Sequence, residues 1–128
     1  MYPRLYVSGM PPPNAPSPDL HYVLSRDAGK TKGKTIVHAA IPDNISPGMQ
    51  WLARNVRLLS ALYDAGESVL VRCEWGRSRS VMLATAFVMA RERIGRDEAL
   101  TRIRKFHPGA VPCEAFMDLL LQWEEMVR

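Results

Sequence analysis

A cysteine, a glycine and three arginines crowd the stretch VRCEWGRSRS, residues 71–80. Cys73 follows the apolar run VLV, Gly76 stands midway between it and Arg79, and Arg72 and Arg77 lie close by. A thiolate is a strong nucleophile. Helix N-termini and neighbouring arginines favour that form over the thiol. Where a strand passes through a loop into a helix, the first helical amides have no internal partners and make an anion site. Gly76 permits a backbone path closed to other residues. Arg79 brings a planar fork that can hold two phosphate oxygens at once. These residues together describe a thiolate beneath a cradle for a tetrahedral dianion, and the chemistry is attack on phosphorus. The plain alternative is an inert buried cysteine before a helix cap. It leaves the spacing of Gly76, Arg79 and Ser80 as coincidence.

The elements around this stretch must hold it in place. ESVLVR, nearly all apolar, reads as a central strand covered on both faces. Ser80–Arg93, rich in Ala, Met and Leu, reads as a buried helix. Upstream, RLYVSG, LHYVL and TIVHAA read as strands. MPPPNAPSP reads as an extended loop, because prolines fix φ and lack a donor, and SRDAGKTKGK as a polar loop. Leu52, Val56, Leu59 and Tyr63 recur at helical steps, so Met49–Ala65 is expected to be a helix ending at Gly66. A further helix starts at Arg96 or Asp97 and ends at HPG, and Pro112 suits the first turn of a last helix. This order predicts a single α/β domain over residues 1–128: a small central, mostly parallel sheet flanked by helices.

Composition sets the outer bounds. The apolar share of 47% and charged share of 23% are ordinary for a globular chain. The longest apolar run, VMLATAFVMA, is too short to span a bilayer, and MYPRLYVSGM lacks the pattern of a secretory signal. Two cysteines do not make a disulfide framework, so a reducing, cytoplasmic location is expected. The net charge of +4 favours anionic partners, but no basic run is dense enough to argue for nucleic acid. His21, His38 and His107 show no metal-ligand spacing, and His38 reads as a packed strand residue. GKT at 29–31 has Leu24 where a nucleotide loop needs its first glycine, so no cofactor is expected.

CEWGRSR resembles the C-x5-R signature of the cysteine-dependent protein tyrosine phosphatase superfamily. Ser80 and the brevity of the chain are similar to the dual-specificity phosphatase branch, and the likeness runs from Arg4 to the C-terminus. RLYVSG resembles that branch's first strand and VPCEAF the start of its last helix. The resemblance implies that Cys73 forms a phosphocysteine. It implies that the loop of Glu74, Trp75, Gly76, Arg77, Ser78 and Arg79 binds phosphate through its amides and the Arg79 side chain. Ser80 would stabilise the departing thiolate. An upstream aspartate would serve as general acid, then general base. Asp43 fits, standing thirty residues before Cys73 on a loop after TIVHAA, although PDN is also ordinary turn chemistry.

The chain departs from the family at four places. Arg72 stands where a histidine is usual. Trp75 replaces an often small residue, and is expected either at the pocket mouth or packed. Cys113 replaces an asparagine, as a core residue or as a partner for reversible oxidation of Cys73. The proline-rich stretch replaces an early helix, which predicts one thinly covered sheet face.

The resemblance implies phosphoprotein substrates: phosphotyrosine, with phosphoserine and phosphothreonine admitted by a shallow pocket. Arg77, with Arg26, Lys30, Lys32 and Lys34 if their loop folds over the mouth, leaves a phospholipid headgroup as the second substrate class. A phosphate-binding pseudophosphatase is the alternative outside enzymes.

Overall fold

The computed structural model describes residues 2–9, 17–26 and 34–127, and the element order is β-β-β-α-β-α-α-α. The strands are β1 (Leu5–Ser8), β2 (Leu20–Val23), β3 (Thr35–His38) and β4 (Val69–Arg72). The helices are α1 (Met49–Asp64), α2 (Arg79–Glu92), α3 (Arg96–Phe106) and α4 (Glu114–Val127). All strand pairs are parallel, in the order β1-β4-β2-β3. The sheet is therefore wholly rather than mostly parallel. MPPPNAPSP and SRDAGKTKGK lie largely outside the described residues.

β4 lies inside the sheet: Val69, Leu70 and Val71 are apolar, and all four of its residues, Arg72 included, are buried. Successive side chains of a strand point to opposite faces. Val69 and Val71, with Leu20 and Tyr22 beside them in register, join the core cluster. Leu70 and Arg72 face the other way with His21 and Val23, and all four are buried. This sheet face is closed at these inner residues and thinly covered at its edges, where Tyr6 beside Leu70 and His38 beside Val23 are exposed.

The helices gather around α2. Every residue from Arg79 to Met89 is buried, and from Val81 to Met89 all but Thr85 are apolar, as befits a helix packed on all sides. α1 buries a stripe of Leu52, Val56, Leu59 and Tyr63, together with the polar Asn55. Trp123 on α4 donates its indole N–H to the Ala86 carbonyl at 3.0 Å, which fixes α4 against the middle of α2. The Tyr22 hydroxyl donates to Asn55 Oδ1 on α1 at 2.5 Å, and burial pushes that phenol up to about 12. Tyr2, Tyr63 and Phe87 meet edge to face, with centroids 5.2–5.7 Å apart. They anchor the start of β1 to α1 and α2, so the far end of β1 is aimed at the loop after β4.

Two details differ from the sequence expectation. α4 begins after Cys113, whose carbonyl accepts the Met117 N–H at 2.9 Å, so Pro112 lies just outside the helix. The 107–113 connection instead bonds the loop after β4, and that tie holds Pro112 back. His38 is exposed rather than packed, and its Nε2 donates to the Ser25 carbonyl at 2.7 Å. No helix among the described residues is long and apolar enough to cross a membrane.

Candidate active site

β4 delivers Cys73 to the C-terminal edge of the sheet, where parallel sheets bind ligands. The backbone of the loop is held from both sides at its root. The Cys73 N–H donates to the Ser8 carbonyl of β1 at 3.3 Å, and the Arg72 carbonyl accepts the Leu24 N–H at 2.9 Å. The loop then turns back over the sulfur. Gly76 N–H donates to Cys73 Sγ at 3.3 Å, and Ser80 Oγ lies 3.3 Å from the same atom. The amide, and the hydroxyl with its proton turned to sulfur, can hydrogen-bond a negatively charged sulfur. The thiol is 2% exposed, so reagents reach it from the cleft alone.

That cleft holds about 460 Å³ and is lined by Asp43, Asn44, Cys73, Trp75, Arg77, Ser78, Arg79, Val111 and Cys113. Most of the residues singled out from the sequence therefore converge. Arg79, the first residue of α2, is buried, and its guanidinium donates to the Ile41 carbonyl at 3.2 Å. This bond ties the cradle to the loop that carries Asp43, two residues further on. Asp43 is exposed on the rim, and its carboxylate accepts the Asn44 N–H at 3.0 Å. Trp75 is 73% exposed, which places it at the mouth rather than in packing. Cys113 is half-buried on the cleft wall, at the edge of the core. Ser80 is fully buried beneath the sulfur, and the Glu74 side chain is exposed outside the cleft lining.

Lys34 does not contribute to the mouth. It precedes β3, at the opposite end of the strands, where it pairs with Asp19 and donates to the Ser17 carbonyl. Its stem is drawn there because Asp19 supplies the opposite charge at the N-terminal edge. Arg26 is exposed and outside the cleft lining, while Lys30 and Lys32 lie outside the described residues.

Arg72 is fully buried. Its Nε donates to His21 Nδ1 at 3.1 Å, so the imidazole carries its proton on Nε2, which faces Ser17 Oγ at 3.0 Å. Burial, then the positive charges of Arg72 and Lys34, push the His21 pKa down. A neutral histidine one strand away thus orders the arginine that replaces the expected histidine.

Sequence reasoning missed two parts of the site. Gly9 packs against the loop backbone: a Cβ there would sit 2.7 Å from the Glu74 carbonyl oxygen and 2.8 Å from the Trp75 carbonyl carbon. His107 donates from Nε2 to the Gly76 carbonyl at 2.5 Å. The glycine after β1 and the histidine ending α3 are visible as chain punctuation, but neither reveals its distant partner. Among the described residues, no cluster of three or more His, Cys, Asp or Glu side chains could hold a metal ion.

A buried sulfur under amide and hydroxyl donors, with a guanidinium and a carboxylate in one cleft, can bind a phosphomonoester and exchange its phosphoryl group. Comparison with known proteins agrees on the family. The family model "Dual specificity phosphatase, catalytic domain" matches residues 19–126. The chain belongs to the dual specificity phosphatase catalytic-domain family. Mouse dual specificity protein phosphatase 1 is 32% identical over 77 residues, covering 60% of this chain and 21% of that protein. The chain thus spans about a fifth of the length of such relatives. The crystal structure of Tk-PTP in the active form is 28% identical with a TM-score of 0.75, covering 84% of this chain and 79% of that one. Human DUSP28 shares the dual-specificity phosphatase fold at a TM-score of 0.80 and 24% identity, covering 97% of this chain and 93% of that one.

Proposed function

We propose that this domain hydrolyses phosphomonoesters through a phosphocysteine, acting on phosphotyrosine and on phosphoserine or phosphothreonine in proteins. The observation that carries the reading is Cys73 Sγ, which receives the Gly76 amide and Ser80 hydroxyl at the floor of the cleft that also holds Arg79 and Asp43.

In the first step the Cys73 sulfur attacks phosphorus and the ester P–O bond breaks. Asp43 gives its proton to the departing oxygen, which leaves as an alcohol or phenol. The amides of residues 74–79 and the Arg79 fork hold the three equatorial oxygens, where charge spreads in the transition state. In the second step Asp43, now a carboxylate, takes a proton from water as the water oxygen attacks phosphorus. The P–S bond breaks and Ser80 donates to the released thiolate. Glu74, Trp75, Gly76 and Ser78 serve through their backbone, and Arg77 adds charge at the wall. No cofactor enters either step.

Membership of the dual specificity phosphatase family and the open mouth beneath the exposed Trp75 support protein substrates. Arg77 on the cleft wall supports a phospholipid headgroup as the second substrate reading. The two free cysteines support a reducing, cytoplasmic setting. The test is a panel of phosphotyrosine, phosphoserine and phosphothreonine peptides beside phosphoinositides, with p-nitrophenyl phosphate as reference. Turnover of the peptides that disappears in Cys73→Ser is the expected result. Faster turnover of phosphoinositides would move the assignment to lipids. Tight phosphopeptide binding without turnover would make the domain a pseudophosphatase.

A further inference from the structure

Three consecutive residues of the phosphate loop are bonded to one short connection between α3 and α4. His107 Nε2 donates to the Gly76 carbonyl at 2.5 Å. The Val111 N–H donates to the Arg77 carbonyl at 2.8 Å. The Cys113 N–H donates to Ser78 Oγ at 2.9 Å. The connection is itself braced: the His107 N–H caps α3 on the Ile103 carbonyl, the Ala110 N–H returns to the His107 carbonyl, and Arg104 Nε donates to the Ala110 carbonyl.

The consequence follows from peptide geometry. The carbonyl of one residue and the N–H of the next share a planar trans unit and point in opposite directions. The chain has no cis peptide bond among its described residues. A hand on the Gly76 carbonyl therefore aims the Arg77 N–H, and a hand on the Arg77 carbonyl aims the Ser78 N–H. Gly76 lies at φ 70, in the left-handed region, and carries no side chain. The peptide plane after it has a glycine on one flank, which lowers the steric barrier to its rotation. It is also the plane that His107 grips.

We infer that His107 is a positioning residue for phosphate binding: by holding the Gly76 carbonyl outward it keeps the Arg77 amide turned into the anion cradle. The inference rests on the phosphomonoesterase reading of the site. His107 touches no reacting atom and acts through the backbone of the loop. Its replacement should weaken both the ground state and the transition state, since each uses the same amide. A residue that only caps α3 would change stability and leave anion affinity alone.

The test compares His107→Ala, His107→Gln and His107→Asn. The amide nitrogen of glutamine falls near the position of Nε2, whereas that of asparagine falls near Nδ1 and stops short of the Gly76 carbonyl. Each variant is measured for tungstate affinity by calorimetry, for turnover of p-nitrophenyl phosphate and for Tm. Losing a correctly aimed donor should cost roughly 10- to 100-fold in both tungstate affinity and kcat/KM. That loss is expected in His107→Ala and His107→Asn, with His107→Gln close to wild type. Wild-type tungstate affinity in His107→Asn would overturn the inference. So would a His107→Gln variant as defective as His107→Asn at equal Tm. The glutamine–asparagine pair decides the matter even where the alanine variant fails to fold. If the wild-type protein binds tungstate but hydrolyses nothing, the phosphatase reading fails while the affinity series still reads the role of His107.

Discussion

The backbone of Gly9, just after β1, lies against the backbone of Gly76, in the middle of the loop after β4. Neither position has room for a side chain. A Cβ on Gly76 would stand 2.2 Å from the Gly9 nitrogen and 2.5 Å from the Ser8 carbonyl carbon. A Cβ on Gly9 would meet the Glu74 carbonyl oxygen at 2.7 Å. All these neighbours are backbone, so relief requires moving the loop itself. Gly9→Ala should therefore displace the amides of the cradle. A misplacement of about 1 Å can cost about 100-fold in rate, and overpacking typically costs about 1–3 kcal/mol. We expect kcat/KM on p-nitrophenyl phosphate to fall by that order, with a lowered Tm. An alanine variant of wild-type activity would show that β1 does not brace the loop.

Arg79→Lys keeps a positive charge and removes the fork. The buried guanidinium also holds the Ile41 carbonyl, so the substitution loosens the loop that carries Asp43. Loss of one preorganised donor costs about 10²–10³ in kcat. The expected result is a loss of at least that order. Turnover within a few-fold of wild type would contradict the assigned role.

Asp43→Asn cannot give a proton to the leaving oxygen. The deficit should depend on the leaving group. Alkyl phosphates should lose about 10²–10⁴ in rate. p-Nitrophenyl phosphate, whose leaving group needs little help, should lose much less in the first step. A deficit independent of leaving group would place the acid elsewhere.

Acid pH should loosen the root of the loop through His21. Its pKa is lowered by burial and by the positive charges of Arg72 and Lys34, so the folded state holds the neutral form. The unfolded chain takes up the proton more readily, near its ordinary value of about 6.5. Stability from this group is thus present above that value and lost as pH falls through the lower folded value. A Tm series from about pH 8 down to about pH 5 should show the decline, and a shallower one in His21→Asn. Identical slopes in both proteins would remove His21 from the explanation.

Much of this site was legible in local sequence. The apolar run of β4, the loop glycine and the all-apolar face of α2 follow from patterns within a few residues. Asp43 was singled out through the family resemblance, as an aspartate on a loop after a strand thirty residues before Cys73, and the fold places it on the cleft rim. The unread parts are contacts across long stretches of chain. Gly9 reaches Gly76, His107 reaches the same glycine, and His21 reaches Arg72, each by way of the sheet register or a helix end. Local periodicity carries no information about such pairs. Pro112 shows the same limit: proline suits a first helical turn, but the bond from Cys113 to Ser78 shifts the start of α4 by two residues. Lys34 was placed by loop proximity, whereas its strand puts it at the far edge of the sheet.

Under the proposed mechanism phosphorus passes through the Cys73 sulfur. The direct measurement is rapid acid quenching of Asp43→Asn during turnover of p-nitrophenyl phosphate, followed by mass spectrometry of the intact chain and its peptides. Asp43→Asn slows the water step, so the intermediate should accumulate. One added phosphoryl group is expected, located on the peptide that contains Cys73. Turnover with no adduct, or with an adduct on another residue that survives in Cys73→Ser, would contradict it.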